Sequence, residues 1–391
     1  MKEVFMIGIG LTPVCKDAQR TPVQLAAAAI EEAIATSGIE KSRVDALFIG
    51  NMMSGMLSNQ AQLGPVIADE VGLKGIEALA IDAACASGGN SMRLGFMTIA
   101  GGFHDVVIAA GVEVMNCVSR ERITQALATG SDWATEGSRG ESFISLNARL
   151  MRGYMEKYGI DSHDFGHFSI NAHANACTNP KAMLHKSMTI DEYNSARLLT
   201  DPIKLSDAPP VSDGAAAVIL ASREVALDAM RRGYPAIRVS ASAVATDRLV
   251  SKDRWRDLEL GAVRESSGKA YAQAGITPED VDFLELHDAY TIISALSLEA
   301  NGFARAGEGA LFGMDGEITL DGRLPISTMG GLKARGHPVG ATGLYQAAEA
   351  YMQLAEMAGP NQVKNCHIGM IQSIGGTGAT VVTHVLENSF I

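Results

Sequence analysis

Ile81-Asp82-Ala83-Ala84-Cys85-Ala86-Ser87-Gly88-Gly89 sets a cysteine among small residues, between a strand-like run and a helix-like one. A thiol there meets unpaired N–H groups and the positive end of a helix dipole, which favour the thiolate and raise its reactivity. The small neighbours leave room for a substrate at the sulfur. The same pattern also fits a cysteine buried as a small, inert hydrophobe. Cys15, Cys117, Cys177 and Cys366 lack this setting and read as inert.

Two histidines complement the thiol. Leu286-His287-Asp288-Ala289-Tyr290 places His287 at the carboxyl end of a strand, on the side where α/β folds bind ligands, with Asp288 next to it as a possible orienting group. Gly330-Gly331-Leu332-Lys333-Ala334-Arg335-Gly336-His337-Pro338-Val339-Gly340 puts His337 in a glycine-rich loop ahead of a helix. An imidazole there can take the Cys85 proton and later return it. Capping of nearby backbone is the alternative. Ser373-Ile374-Gly375-Gly376-Thr377-Gly378 is a glycine turn between two apolar strands. It is either an oxyanion hole, with backbone N–H groups brought close to a ligand oxygen, or a plain hairpin.

Other motifs carry less. Gly8-Ile9-Gly10-Leu11-Thr12-Pro13 lacks the third glycine of a dinucleotide fingerprint. His163 and His167 have a metal-ligand spacing, but Gly166 intervenes and no glutamate base sits between them, so a solvated helix start is expected and no metal site. The run Arg248 to Arg256 reads as a solvated helix face rather than a phosphate site.

The elements that position these residues alternate. Glu3 to Gly8 reads as a strand. Thr21-Pro22 opens a helix as N-cap and first residue, and Gly38 closes it. Strands follow at Val44 to Ile49 and Glu77 to Ile81, then a helix to about Ala100, then a strand at Asp105 to Ala110. This is the pattern of a layered α/β fold. From Val118 to Asp207 the chain turns polar, with helices expected over Glu141 to Lys157, His163 to Cys177 and Thr189 to Leu198, and no buried strand. The run Ala215 to Ala221 resumes the sheet. Helix-Gly38-Ile39-x4-Val44-Asp45-Ala46-Leu47 then recurs as helix-Gly275-Ile276-x4-Val281-Asp282-Phe283-Leu284, at a constant offset of 237 residues (38 to 275, 44 to 281). A looser pair matches Cys85 with its helix and strand to His337, the helix Gly343 to Glu356 and the strand Cys366 to Ile371. Two halves of one topology about a pseudo-twofold axis would bring equivalent loops together.

Composition bounds the function. At roughly 150 residues per domain, 391 residues make two or three units. Lys and Arg total 32 against 44 Asp and Glu, a net charge of −12 that disfavours nucleic-acid binding. No apolar run reaches the roughly 18 residues of a membrane span, and the N-terminus is not a signal peptide. Five cysteines without a CxxC pair argue against a disulfide framework and for a reducing cytoplasm.

Together the segments resemble the thiolase superfamily, in its archaeal-type and sterol-carrier-type branch. The resemblance rests on DAACASG around Cys85, GVEVM at Gly111 to Met115 and SDGAAA at Ser212 to Ala217. It is completed by HDAY at His287, GGLKARGHPVGATG around His337 and IGGTGAT at Ile374 to Thr380. It implies a thiolase fold: two similar βαβαβαββ halves in a five-layer α-β-α-β-α arrangement with an inserted loop domain. Residues 1–117 and 208–235 would form the first half, 118–207 the loop domain and 236–391 the second half.

By the same resemblance Cys85 is the nucleophile that takes an acyl group from acyl-CoA, His337 its base, and His287 the group that polarises the thioester carbonyl. Gly336, Lys333, Ser373, Gly375 and Gly376 would contact CoA or the oxyanion. The implied activity is acyl-CoA:acetyl-CoA C-acyl transfer without a metal or other cofactor. The alternatives are transfer to another acceptor, a decarboxylating condensation, or a non-catalytic subunit of a thiolase-like complex. The resemblance also implies a homodimer or homotetramer, and hydroxymethylglutaryl-CoA synthase and a small OB-fold protein as partners. One departure stands out. Relatives place a second cysteine, the α-proton base, where this chain has Ser373, or in an HDCF motif where it has Ala289.

Overall fold

A computed structural model of the 391-residue chain describes residues 1–251 and 258–388. Most of the basic run Arg248 to Arg256 therefore lies outside the described residues.

Strand β1 (Val4–Leu11) is buried along its length. Helix α1 (Pro22–Ser37) starts at a Thr21 capping box closed by Gln24 and ends at Gly38, whose φ of 66° is the left-handed cap expected there. Then come β2 (Ala46–Gly50), the short helices α2 (Ser54–Leu57) and α3 (Leu63–Glu70), β3 (Glu77–Ile81), α4 (Ser87–Ala100) and β4 (Val106–Glu113). Residues 118–207 hold α5 (Arg120–Ala128), α6 (Phe143–Tyr158), α7 (Gly166–Ala176) and α8 (Ile190–Asn194). They also hold a small hairpin of β5 (Leu198–Thr200) with β6 (Ile203–Lys204). This corrects the expected helix Thr189 to Leu198, which stops four residues earlier, because Asp201-Pro202 turns the chain back on itself. His163 lies in a 3-10 turn with its ring exposed beside Asp164.

The second half runs β7 (Gly214–Ser222), α9 (Arg223–Arg231), β8 (Ile237–Thr246), α10 (Gly261–Ala274), β9 (Phe283–Glu285), α11 (Thr291–Ala300), α12 (Thr342–Leu354), β10 (Ile368–Gly375) and β11 (Thr380–Glu387).

Nine strands form one sheet in the order β3-β2-β4-β7-β1-β8-β11-β10-β9. The two halves meet at an antiparallel seam of two pairs, Phe5 with Arg238 and Met6 with Ile237. From that seam β1-β7-β4-β2 and β8-β11-β10-β9 repeat the same pattern outward, as the 237-residue offset requires. The repeat is not perfect. The first half completes βαβαβαββ, whereas the third strand of the second half shrinks to one bridge between Leu284 and Ile326.

Layering follows from burial. Helix α1 covers the outer face of β1, β7 and β4, and α10 covers β8 and β11. Helices α4 and α12 lie between the two halves of the sheet, each touching strands of both, which gives the α-β-α-β-α order. Twelve of the thirteen residues of α12 are buried, as a helix packed on all sides demands. The two inner helices approach on glycine: a Cβ at Gly343 would lie 2.4 Å from the Gly89 nitrogen. The loops ahead of these helices carry Cys85 and His337.

Candidate active site

Cys85 sits on a tight turn between β3 and α4. Ala84 before it has φ +52°, a conformation costing an alanine roughly 1–2 kcal/mol, and Ser87 holds it: its Oγ accepts the Ala83 N–H at 2.9 Å and donates to the Ala84 carbonyl at 2.6 Å. His287 follows β9, and His337 follows the irregular turn Gly331–Arg335. One donor atom from each of Cys85, His287 and His337 lies within 4.8 Å of the others, and all three residues are buried. The two imidazoles meet edge to face, centroids 5.2 Å apart at 84°.

Burial reverses the expected thiolate. It pushes the Cys85 thiol up to about 12, against the opposing pull of the Gly376 amide and its own amide, which face the sulfur. The helix begins two residues beyond Cys85, and the sulfur packs among Met53, Leu57, Met115 and Val339. Desolvation therefore outweighs the dipole. Burial, with the nearby Arg335 cation, also drives His287 down to about 3. Burial, then His287 and Arg335, hold His337 well below the usual histidine range. The resting site is a neutral thiol facing two neutral imidazoles.

Neutral imidazoles need a defined tautomer. Nδ1 of His337 lies 2.7 Å from Thr342 Oγ1, which donates its own proton to the Pro338 carbonyl at 3.1 Å. Nδ1 must then carry the ring proton, leaving Nε2 a free base. The backbone N–H of His337 donates to Ser212 Oγ at 2.8 Å, so the SDGAAA segment anchors this loop. Asp288 does not orient His287; it accepts the Leu332 N–H at 2.8 Å and so stitches the glycine loop to β9. Arg335, fully buried, pairs with Glu349 at 3.3 Å and lies over the Tyr345 ring.

A cavity of about 770 Å³ opens onto Cys85, His287, His337 and Gly376. Its wall is largely apolar, while Lys16, Arg120 and Arg197 also line it. Four other expected contacts lie outside this lining. Ser373 points into the core, donating to Gln346 Oε1 at 2.8 Å. Lys333 donates to the Ala208 carbonyl at 3.0 Å. Gly336 and Gly375 shape their turns: a Cβ would meet Val14 Cγ1 at 2.5 Å and the Ala83 carbonyl at 2.3 Å. Ala289, by contrast, lines the cavity.

Family comparison agrees with this geometry. The thiolase N-terminal domain matches residues 4–224, and the thiolase C-terminal domain-like family matches residues 243–388. The chain belongs to the thiolase family. It is an acyltransferase of that family. It is 40% identical over 357 residues to an acetyl-CoA acetyltransferase of Methanothermobacter thermautotrophicus, covering 91% of each chain. It is 34% identical to the Methanocaldococcus jannaschii acetyl-CoA acetyltransferase, over 99% of this chain and 100% of that one. These place it with the archaeal-type thiolases. A chain of the Ltp2-ChsH2(DUF35) aldolase superposes with a TM-score of 0.85 over 98% of this chain and 97% of its own, at 24% identity, and so shares the thiolase fold.

Sequence reading missed Thr342 at this thiolase site; its hydroxyl meets Nδ1 of His337. Thr342 had one usable signal, its place five residues after His337 in the first turn of the following helix.

Proposed function

We propose that this enzyme is an acyl-CoA:acetyl-CoA C-acyltransferase working through an acyl-Cys85 intermediate. The observation that carries the reading is the meeting of Cys85, His287 and His337 at the cavity, with the Gly376 amide on the sulfur. Nε2 of His337 takes the thiol proton as Cys85 attacks the thioester carbonyl. The oxygen of the tetrahedral adduct faces the Gly376 and Cys85 amides. Collapse breaks the carbonyl carbon–CoA sulfur bond, His337 protonates the departing CoA thiolate, and the acyl group remains on Cys85. An acetyl-CoA then passes an α-proton to Nε2 of His337, free again once CoA has left and a weaker base than a cysteine thiolate, while His287 donates a hydrogen bond to its thioester oxygen; His337 afterwards returns that proton to the Cys85 sulfur. The resulting carbanion attacks the acyl-Cys85 carbonyl and releases the Cys85 sulfur. Thiolysis is the reverse.

Nucleophile, base and oxyanion donors all come from the chain, so the scheme needs no cofactor beyond the CoA thioesters. The cations Lys16, Arg120 and Arg197 along the cavity support phosphate binding. All five cysteines are free, which supports work in a reducing cytoplasm. Among the described residues no helix is long and apolar enough to cross a membrane. The exposed edge of β3 supports a homodimer or dimer of dimers. Association with a hydroxymethylglutaryl-CoA synthase and an OB-fold protein is part of the same reading. A fold neighbour, the Ltp2-ChsH2(DUF35) aldolase, pairs a chain of this fold with a second protein, which supports a protein partner in general. The synthase and the OB-fold protein rest on the family resemblance alone.

Mass spectrometry of the protein after incubation with acetyl-CoA tests the reading. One acetyl group on the Cys85 peptide is expected. An unlabelled Cys85 under conditions that turn over CoA thioesters overturns it.

A further inference from the structure

His287 has the fewest direct restraints of the three residues at the cavity. Its Nδ1 is buried without a hydrogen-bond partner among the described residues, and Asp288 turns to the glycine loop instead. The strand ahead of it also gives out early: β9 pairs with β10 from Phe283 to Glu285 and stops two residues short of His287. Where that ladder ends, one side chain takes over. Gln346 on α12 is fully buried, and its Nε2 reaches the Leu286 carbonyl at 2.8 Å and the Glu285 and Gln372 carbonyls at 3.0 Å each. The Leu286 carbonyl belongs to the peptide bond that leads into His287.

This amide can lie only one way. Carbonyls accept and never donate, so the NH2 group must face the three of them and Oε1 must face away. There Oε1 accepts the Ser373 hydroxyl at 2.8 Å. Turned over, the amide would set its oxygen against three buried carbonyls and leave all of them unpaired. Ser373 therefore fixes the amide, and the amide fixes the backbone at His287. The residue that stands where relatives carry their second cysteine works on the site from behind.

We propose that Gln346, oriented by Ser373, is the positioning residue that holds His287 against the acetyl-CoA thioester oxygen. The inference rests on the acyl-transfer reading, in which His287 serves the acetyl-CoA half of the reaction and not the acylation of Cys85. Neither Gln346 nor Ser373 lines the cavity, so both act through the Leu286–His287 peptide. Small displacements of such a group are costly, since a misplacement of about 1 Å can slow a reaction roughly a hundred-fold.

The test is a pair of rates measured in two backgrounds. Gln346→Met keeps the side-chain length without the amide, and Ser373→Ala removes only the donor behind it. Each is made in the wild type and in His287→Ala. Acylation of Cys85 by acetyl-CoA is followed by mass spectrometry, and thiolysis of acetoacetyl-CoA by CoA is followed separately. Gln346→Met should slow thiolysis roughly ten-fold or more while acylation stays close to wild type. Ser373→Ala should show a smaller loss in the same step. In the His287→Ala background neither should slow thiolysis further, because the group they position is gone. The inference is overturned if acylation falls as far as thiolysis, if the losses multiply with that of His287→Ala, or if neither variant slows thiolysis. Should Gln346→Met fail to fold, Ser373→Ala carries the same comparison. A wild type that does not cleave acetoacetyl-CoA, or a His287→Ala variant as fast as wild type, would instead sink the acyl-transfer reading and this inference with it.

Discussion

Thr342 holds His337 in one tautomer: its Oγ1 stands 2.7 Å from Nδ1 while giving its own proton to the Pro338 carbonyl. The consequence is kinetic. Without the hydroxyl, nothing obliges the ring proton to stay on Nδ1, and Nε2 is less often free to accept the thiol proton. Thr342→Val should slow acylation of Cys85 roughly ten-fold or more, within the range of lost general-base catalysis, and Thr342→Ser should restore most of it. Single-turnover acylation measures both. A valine variant as fast as wild type would dissociate the tautomer from the rate.

The nucleophile itself is the next test. Cys85→Ala should abolish acyl transfer and leave the melting temperature within a few degrees, because one sulfur contributes little to the core. Its neighbours already pack as a cluster of Met53, Leu57, Met115 and Val339. Full turnover by this variant would remove the acyl-enzyme. His337→Ala should slow alkylation of Cys85 near neutral pH, since the thiol loses the base that accepts its proton. An unchanged alkylation rate would mean that His337 does not activate it.

The pH dependence follows from the same burial. With the thiol pushed up to about 12, the thiolate fraction rises about ten-fold per pH unit throughout the neutral and mildly alkaline range. Iodoacetamide labelling of Cys85 should therefore climb without a plateau between pH 7 and about 10, unlike a model thiol with a pKa near 8.5. Acylation should show no acid limb near pH 6.5. His287 is held down to about 3, and His337 well below its usual range, so both stay unprotonated as pH falls through that region. A labelling plateau near pH 8, or an activity loss centred near 6.5, would contradict the buried neutral pair.

Much of this architecture is visible in the primary structure because period and cap coincide. Thr21-Pro22 and Gly38 bound α1 where the residue types say they should, and the 237-residue repeat anticipates the sheet seam. What escaped depended on direction and environment. Alternation along β10 does not say that Ser373 faces Gln346 rather than the cavity, since both faces of that strand are buried. A helix just after Cys85 suggests a thiolate; only the packed cluster around the sulfur shows that desolvation wins.

The edge of the sheet predicts association. β3 is an edge strand whose Leu79 is 45% exposed, with an exposed Met97 on the neighbouring α4. An open apolar edge is a template for another strand, and a second copy closes it by twofold pairing. Wild type should scatter light as a dimer or tetramer at micromolar concentration, and Leu79→Lys should shift it toward monomer. A monomeric wild type would refute the pairing.

The missing second cysteine gives the sharpest separation of steps. Of the two positions where relatives carry it, only Ala289 lines the cavity, while the Ser373 hydroxyl is turned into the core and bound to Gln346. If the α-proton base is absent, wild type should acylate Cys85 readily yet form acetoacetyl-CoA slowly. Ala289→Cys should then raise condensation without changing acylation, because only carbanion formation gains a group. Ser373→Cys should do little, since its sulfur would be directed at α12 rather than at the substrate. The rival account has His287 or His337 remove the α-proton directly, which their neutral, unprotonated rings permit. Exchange of the acetyl-CoA methyl protons with deuterated solvent decides between the two. Slow exchange in wild type that speeds up in Ala289→Cys supports a missing base. Rapid exchange in wild type would show that a histidine already does the work, and Ala289→Cys would then leave condensation where it was.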